Sequence, residues 1–237
     1  YRTGIDIDDL VLSVMATANT VLTQEQKELG VCMVDIGGST TTLAVFEEGN
    51  ILHTAVIPIG SNHITNDLAL GLQTSIEIAE RIKITYGQCS SKGLTKKDVI
   101  DLAEFGMPNQ VVSKKFVAEI ISARVVELLE KIDDELLSIQ RRSLLPAGVV
   151  LSGGGAKLHD IVDVAKAVFQ MNASHGFPTG IRSATDTIND SSFSAAIGLV
   201  RWGAEMSGSS DTASKFRIPG GTQAVQQVRN LFRFLIP

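Results

Sequence analysis

Cysteine is scarce. The 237 residues hold two, Cys32 and Cys89, far apart in the chain. Such a pair builds neither a disulfide framework nor a metal-ligand cluster, and a reducing cytoplasm is the plain reading. Positive charge is not in excess: 21 Lys and Arg stand against 26 Asp and Glu, a net −5. That excludes a global basic footprint for nucleic acid. Arg141-Arg142 reads as a solvated helix end rather than a nucleic-acid site. No apolar run approaches the ~20 residues that span a bilayer. No signal-peptide pattern opens the chain, which begins at Tyr1 rather than Met, and a piece of a longer protein is expected. His53, His63, His159 and His175 show no ligand spacing and read as structural or solvated. No internal repeat is visible. With 44% hydrophobic residues, the chain can bury the core of one large domain or two small ones.

Periodicity organises the rest. Residues 9–22 have the apolar spacing of a helix, followed by the polar stretch TQEQKELG. GVCMVDIGG, TTTLAVFEEGN and ILHTAVIPIG read as three strands of an antiparallel meander, with a turn at Glu48-Gly49-Asn50. Residues 62–71 suit a helix. Thr74-Ser75-Ile76-Glu77 fits a capping box that opens another, closed by ERIKITYG. Residues 88–112 are mixed, with strand character in DVIDLAEFG. Ser113 can cap a long helix to about Gln140, with Phe116, Ile120, Ile121, Val125, Leu128, Leu129, Ile132, Leu136 and Ile139 as its apolar stripe. AGVVLSGGGAKL reads strand, glycine loop, helix, the helix starting near Ala156. Residues 192–206 form a further helix, at whose end Trp202 packs.

Two glycine loops carry the chemistry. The first, Asp35-Ile36-Gly37-Gly38-Ser39-Thr40, ends a buried strand. Glycines let backbone N–H groups approach a phosphate with no Cβ in the way. Ser39 and Thr40 can add hydroxyl donors, and Asp35 can hold Mg²⁺ through its water shell. The plainer alternative is a glycine-rich hairpin turn with a capping Asp. The second loop, Gly153-Gly154-Gly155, sits between a strand and a helix start, where helix N–H groups and the dipole favour an anion. Its alternative is an ordinary tight turn. Glu80 and Lys83 share a helix face three residues apart, and an exposed ion pair is the plainer reading of that spacing.

Taken together, the loops resemble the second phosphate motif and the adenosine motif of the actin, DnaK-type chaperone and sugar-kinase superfamily. In detail the chain is similar to the FtsA family of bacterial cell-division proteins. Glu28-Leu29-Gly30 and Val34-Asp35-Ile36-Gly37-Gly38 follow that family's pattern, and Ser39 replaces its usual third glycine. HTAVIPIGSNHITNDLA, AGVVLSGGGAKLHDI and FSAAIGLVRWG resemble its later segments. The superfamily's first phosphate loop has no match, since Gly4-Ile5-Asp6-Ile7-Asp8 lacks the glycine spacing; residues 1–202 thus resemble the second half of such a protein. Half a cleft is expected to bind nucleotide weakly.

The resemblance implies an α/β fold of the actin-like ATPase (RNase-H-like) type. Residues 1–30 would be a connecting helix, 31–61 and 146–203 subdomain 2A, and 62–145 an inserted smaller α/β subdomain, 2B. It implies ATP and Mg²⁺ as ligands of Asp35, Gly37, Gly38, Ser39, Thr40, Glu80, Lys83, Gly153, Gly154, Gly155 and Lys157, with Asp35 serving Mg²⁺ through water and Glu80 and Lys83 reaching the ribose. It also implies a docking surface on subdomain 2B for the C-terminal peptide of FtsZ, head-to-tail contacts between copies, other divisome partners, no nucleic acid, and little or no catalysis.

The tail has its own physics. Residues 204–221 are rich in Gly, Ser, Thr and Asp and read as a flexible linker. In 222–237, Val225, Val228, Leu231, Phe232, Leu235 and Ile236 recur at helical spacing, with Arg229 and Arg233 one turn apart. At 1.5 Å per residue such a helix spans ~22 Å, short of the ~30 Å hydrocarbon core. It reads as an amphipathic anchor lying in an anionic membrane surface. The alternatives are docking back on the domain or filling a partner's groove. The family resemblance implies membrane targeting too, at the cytoplasmic side of the inner membrane and the division septum. Two other readings in the superfamily stand beside this one: a pilus-assembly ATP-binding scaffold, which lacks such a tail, and a small-molecule kinase fragment, which needs a catalytic carboxylate.

Overall fold

The computed structural model describes residues 4, 7, 9–95, 97–180 and 189–209. The chain divides into two compact units, Tyr1–Gly203 and Ala204–Pro237. Of the second unit, the described residues are 204–209, all helical. The expected flexible linker, 204–221, is thus helical over its described part; its remainder and the whole of the expected anchor, Val225, Val228, Arg229, Leu231, Phe232, Arg233, Leu235 and Ile236, lie outside the described residues.

The first unit opens with α1 (Ser13–Val21), shorter than the 9–22 expected, and α2 (Gln24–Leu29). The polar stretch after α1 is therefore itself a helix. Thr23 caps it by accepting from Gln26 N–H, while the Gln26 side chain accepts from Thr23 N–H. Three strands follow: β1 (Val31–Ile36), β2 (Thr41–Glu47) and β3 (Asn50–Ile57). They form the expected meander, with Val34 opposite Leu43 and Leu43 opposite Ala55. The β2–β3 turn has positive φ at both central residues, 51° at Glu48 and 75° at Gly49. That is the turn hand matching the strand twist.

Helix α3 (Ser61–Leu72) comes next, and α4 (Ile76–Tyr86) after it. The cap of α4 is Ser75, which accepts from Ile78 N–H, one residue later than the predicted box. Thr74 instead donates to the Met107 sulfur. A short hairpin of β4 (Val99–Asp101) and β5 (Val111–Ser113) precedes α5 (Lys114–Ser138). The predicted strand DVIDLAEFG is strand only to Asp101 and then turns into a 3-10 helix, Leu102–Phe105. Ser113 does stand at the cap position, yet its hydroxyl makes no cap bond and has no partner among the described residues. Phe116 leaves the buried stripe, being 44% exposed, whereas Val117 and Ala118 enter it. The chain closes the sheet with β6 (Val149–Ser152), α6 (Ile161–Phe169), β7 (Ala173–His175) and α7 (Ser194–Ser209).

The main sheet has the order β3-β2-β1-β6-β7, with β6 parallel to both β1 and β7. Strand alternation sorts the core. Cys32, Val34, Ile36, Leu43 and Val45 belong to one apolar cluster with Ile121, Val125, Leu129 and Ile132 of α5 and Ala165 and Phe169 of α6. Val31, Met33, Ala44, Phe46 and Val150 cluster instead with Val14, Ala18 and Val21 of α1. The sheet is thus covered on both faces. α7 crosses α1 so closely that a Cβ on Gly198 would lie 1.9 Å from the Ala16 carbonyl oxygen. Helices α3 and α5 are fastened by Arg124, whose Nε and Nη2 donate to the two carboxylate oxygens of Asp67 at 2.6 and 2.9 Å. Among the described residues, no helix is long and apolar enough to cross a membrane.

Candidate functional site

β1 and β6 run parallel side by side, with Asp35 opposite Ser152. Both therefore release their chains at the same end of the sheet, and both exits are the glycine loops. The contact between the loops is close. Gly153 has φ 86°, and a Cβ there would lie 2.4 Å from Asp35 Oδ1 and 2.5 Å from the Ile36 carbonyl oxygen. A Cβ on Gly155 would lie 2.4 Å from Ile36 Cγ2. No side chain fits between the two loops, which explains the glycines there.

The first loop is held from its far side by α3. Ser61 N–H donates to the Gly37 carbonyl at 2.9 Å and Asn62 N–H to the Gly38 carbonyl at 2.8 Å. Gly60 N–H donates to His63 Nδ1, so His63 caps α3. Gly38, Ser39 and Thr40 are exposed, and no described residue accepts from their N–H groups. Asp35 is half-buried, and burial raises its pKa. A 3.0 Å bond from the Thr17 hydroxyl opposes that rise.

Across from the loops lies α4. Lys83 is 6% exposed and engages three acceptors: Glu80 Oε2 at 2.7 Å, Thr65 Oγ1 at 2.8 Å and the Ser61 carbonyl at 3.2 Å. An ammonium has three donors, so Lys83 has none left for a ligand. Glu80 Oε2 accepts from Lys83 and also from Thr65. Burial pushes the Glu80 carboxyl up, but the hydrogen bonds from Lys83 and Thr65 and the lysine charge outweigh it, and the net direction is down. Among the described residues, none bonds Glu80 Oε1. The pair is neither a solvated surface bridge nor two ligand-facing groups. It is a lysine that fixes a carboxylate.

A cavity of about 370 Å³ lies between these parts. Glu80, Lys83, Gly154, Gly155 and Lys157 of the predicted residues line it, together with Ser61, Ile84, Gly87, Leu158 and Ser192. Asp35, Gly37, Gly38, Ser39, Thr40 and Gly153 do not line it. They lie next to it, the first loop being bonded directly to Ser61. Cys89 N–H donates to the His159 carbonyl at 2.8 Å, joining the segment after α4 to the segment after the second loop. That loop continues not into an α-helix near Ala156 but into a 3-10 turn, Gly154–Lys157, with α6 starting at Ile161.

Sequence reasoning missed Ser61, Ile84, Leu158 and the turn Asp190–Phe193. Ile84 is 74% exposed on a helix, an apolar residue facing the wrong way for a core position. That is the one signal for it visible from periodicity. Asp190 pairs with Lys157 at 2.6 Å and accepts from Ser192 N–H, and these two contacts hold its carboxyl down at about 2. The cavity size is in the range of small-molecule sites. Its walls can hold a flat, partly apolar group beside Ile84 and Leu158 and offer Glu80 as an acceptor for hydroxyls, while the exposed amides of the first loop, next to the cavity, suit an anion. Among the described residues, no group of three His, Cys, Asp or Glu could hold a metal ion by itself.

Comparison with known proteins adds kinship. The family model "Cell division protein FtsA" matches residues 32–198. The chain is 39% identical over 203 residues to the cell division protein FtsA of Pseudomonas aeruginosa, covering 85% of this chain and 49% of that protein. It is 34% identical to the Escherichia coli K12 protein of the same name, covering 86% and 50%. The Bacillus subtilis protein is 33% identical, with 96% and 50% covered. Among solved structures, MreB5 of Spiroplasma citri bound to ADP superposes with a TM-score of 0.62 at 19% identity, covering 86% of this chain and 62% of that one. The PilM–PilN type IV pilus biogenesis complex gives 0.57 at 20%, covering 76% and 47%. These likenesses show the fold, that of the actin-like ATPases. The chain spans about half the length of the curated relatives it matches.

Proposed function

Since the chain belongs to the FtsA family of cell division proteins, we propose that it is part of an ATP-binding, actin-like adaptor that polymerises and ties FtsZ filaments to the cytoplasmic membrane. The observation that carries this reading is the cavity bounded by Glu80, the second glycine loop and Ser61, with the first loop bonded to Ser61. The adenosine part of ATP would occupy the cavity, with Glu80 Oε1 facing the ribose and Lys83 holding Glu80 in place. The phosphates would meet the amides of Gly38, Ser39 and Thr40. The donor set fits: glycine leaves the loop amides open, and no Cβ crowds them. Mg²⁺ fits as well. Asp35 is a half-buried carboxylate whose charge burial disfavours, and a hydrated dication beside it offsets that cost. When bound, Mg²⁺ would neutralise phosphate charge. The protein is proposed as a nucleotide-dependent assembler, with weak ATP hydrolysis at most.

Residues 31–61 and 146–203 would form subdomain 2A, and residues 62–145 the 2B lobe that receives the C-terminal peptide of FtsZ. Copies would stack head to tail, other divisome proteins would join them, and residues 222–237 would lie on the cytoplasmic face of the inner membrane at the septum. Magnitude constrains the mechanism. One short helix with about six apolar side chains binds a membrane reversibly, much as a single lipid chain does. Many anchors on one filament raise each other's effective concentration, so polymerisation supplies the tenacity a tether needs. ATP then acts as the ligand that favours the polymer-competent state.

Co-sedimentation with vesicles containing anionic lipid tests the reading. Binding should rise with Mg·ATP in the full-length protein and vanish when residues 222–237 are deleted. Membrane binding indifferent to both ATP and the deletion would overturn it.

A further inference from the structure

One side of the cavity rim is the 3-10 turn Ser191–Phe193, with Asp190 at its cap. Several polar links run between this turn and the segment of the second glycine loop. Ser191, buried, donates its hydroxyl to the Gly153 carbonyl at 3.1 Å. Ser194 and Ser152, both buried, share a 2.9 Å hydroxyl bond. Asp190 uses both carboxylate oxygens: Oδ1 accepts from Ser192 N–H at 2.9 Å, and Oδ2 meets Lys157 Nζ at 2.6 Å. The first two links are interior and anchor the turn. The Asp190–Lys157 link is different, because its side chains are 34% and 54% exposed. An ion pair that open to solvent adds little to overall stability. Its position is what distinguishes it. Lys157 and Ser192 both line the cavity, and Asp190 is bonded to both.

We infer that Asp190 is a positioning residue of the ligand site: one carboxylate fixes the cation of Lys157 and the turn bearing Ser192 relative to each other at the cavity rim, and so slows the exit of a bound nucleotide. The inference rests on the nucleotide reading above. Asp190 stays ionised far below neutral pH, so the latch is intact under all physiological conditions. Salt weakens it, as it weakens any exposed pair.

The sign of the effect separates positioning from plain charge. Removing a carboxylate near an anion-binding site should, by charge alone, slow the release of ATP and leave neutral adenosine untouched. Positioning predicts faster release of both. Stopped-flow dissociation of ATP and of adenosine is measured on the full chain, comparing Asp190→Asn, Asp190→Ala, Lys157→Met and the double variant Asp190→Asn/Lys157→Met. Asn keeps a cap for Ser192 N–H and loses the ion pair, so it isolates the latch. Expected are about three- to tenfold faster release of both ligands in Asp190→Asn and a larger increase in Asp190→Ala. Because the two residues act through one link, the double variant should release ligand no faster than the faster of its two single variants, full additivity counting against the latch, and Tm should change by no more than about a degree or two in Asp190→Asn. Release rates within twofold of wild type, or opposite shifts for ATP and adenosine, overturn the inference. If the wild type binds neither ligand, the nucleotide reading fails by itself. Amide exchange then still decides the latch. Asp190→Asn should speed exchange across residues 153–157 and 191–193, and unchanged protection there refutes it.

Discussion

Replacing Lys83 by Met separates two roles that the same residue could play. The lysine is 6% exposed and donates to Glu80, Thr65 and the Ser61 carbonyl. If it serves structure, its removal costs stability first and ligand affinity second. Two hydrogen bonds to neutral acceptors contribute about 1 kcal/mol each. The bond to Glu80 involves a carboxylate whose side chain is 40% exposed, so solvent screening brings it down to about 1 kcal/mol as well. Burying the Met thioether instead of an ammonium returns part of this sum, and a net loss of about 2 kcal/mol is expected. In a body of some 200 residues that lowers Tm by about 4–8 °C. Nucleotide affinity should fall only a few-fold, since Glu80 loses its guide but remains present. Denaturant melts and ATP titration on the same samples read both quantities. Unchanged stability with an affinity loss beyond tenfold would refute the reasoning, because it would make Lys83 a ligand contact and not a support.

The same lysine implies a pH signature. Glu80 is held below its usual value, so its contribution is present above the unfolded carboxylate range and is lost as pH falls through the folded value. The stability gap between wild type and Lys83→Met should therefore close as pH drops below about 4, and a gap that widens in acid contradicts the pairing. Gly153→Ala should cost about 2–4 kcal/mol in urea melts, because φ is 86° and the new Cβ would meet Asp35 Oδ1 at 2.4 Å and the Ile36 carbonyl at 2.5 Å. A neutral result would mean that the loops are not packed as described. Burial pushes the Cys32 thiol up to about 12, and burial with the nearby Asp160 charge does the same to Cys89. A thiol reagent at pH 8 should find neither in the native protein and both after denaturation. Stoichiometric labelling of the folded protein contradicts this.

What could be read from the sequence were the features that a local rule controls. The strands β1 and β6 and their glycine exits follow from apolar runs that end in glycine. The β2–β3 hairpin follows from a turn that only a glycine-bearing pair completes. Helix α2 was legible but overlooked: Thr23 and Gln26 have the spacing of a capping box, yet five polar residues and a single leucine show no apolar stripe. Where two candidate caps adjoin, as at Thr74 and Ser75, a distant atom decided, namely the Met107 sulfur that takes Thr74 away. Phe116 had the right phase for the stripe, but in the first turn of α5 its neighbours Val117 and Ala118 take the buried face and leave it half-exposed. The site was legible by halves. Glu80 and Lys83 could be paired from spacing, but the burial of Lys83 depends on Ser61 and Thr65 of another helix. Ser61, Leu158, Asp190 and Ser192 join the cavity only through tertiary contact, and no local pattern marks them.

The central claim is that one nucleotide lies between α4 and the second glycine loop. Photolabelling with 8-azido-ATP and Mg²⁺, followed by peptide mapping, tests it most directly. Labels are expected in residues 80–87 and 153–158, with both removed by excess ATP. Labels confined to other segments, or labelling that ATP does not compete away, would contradict it.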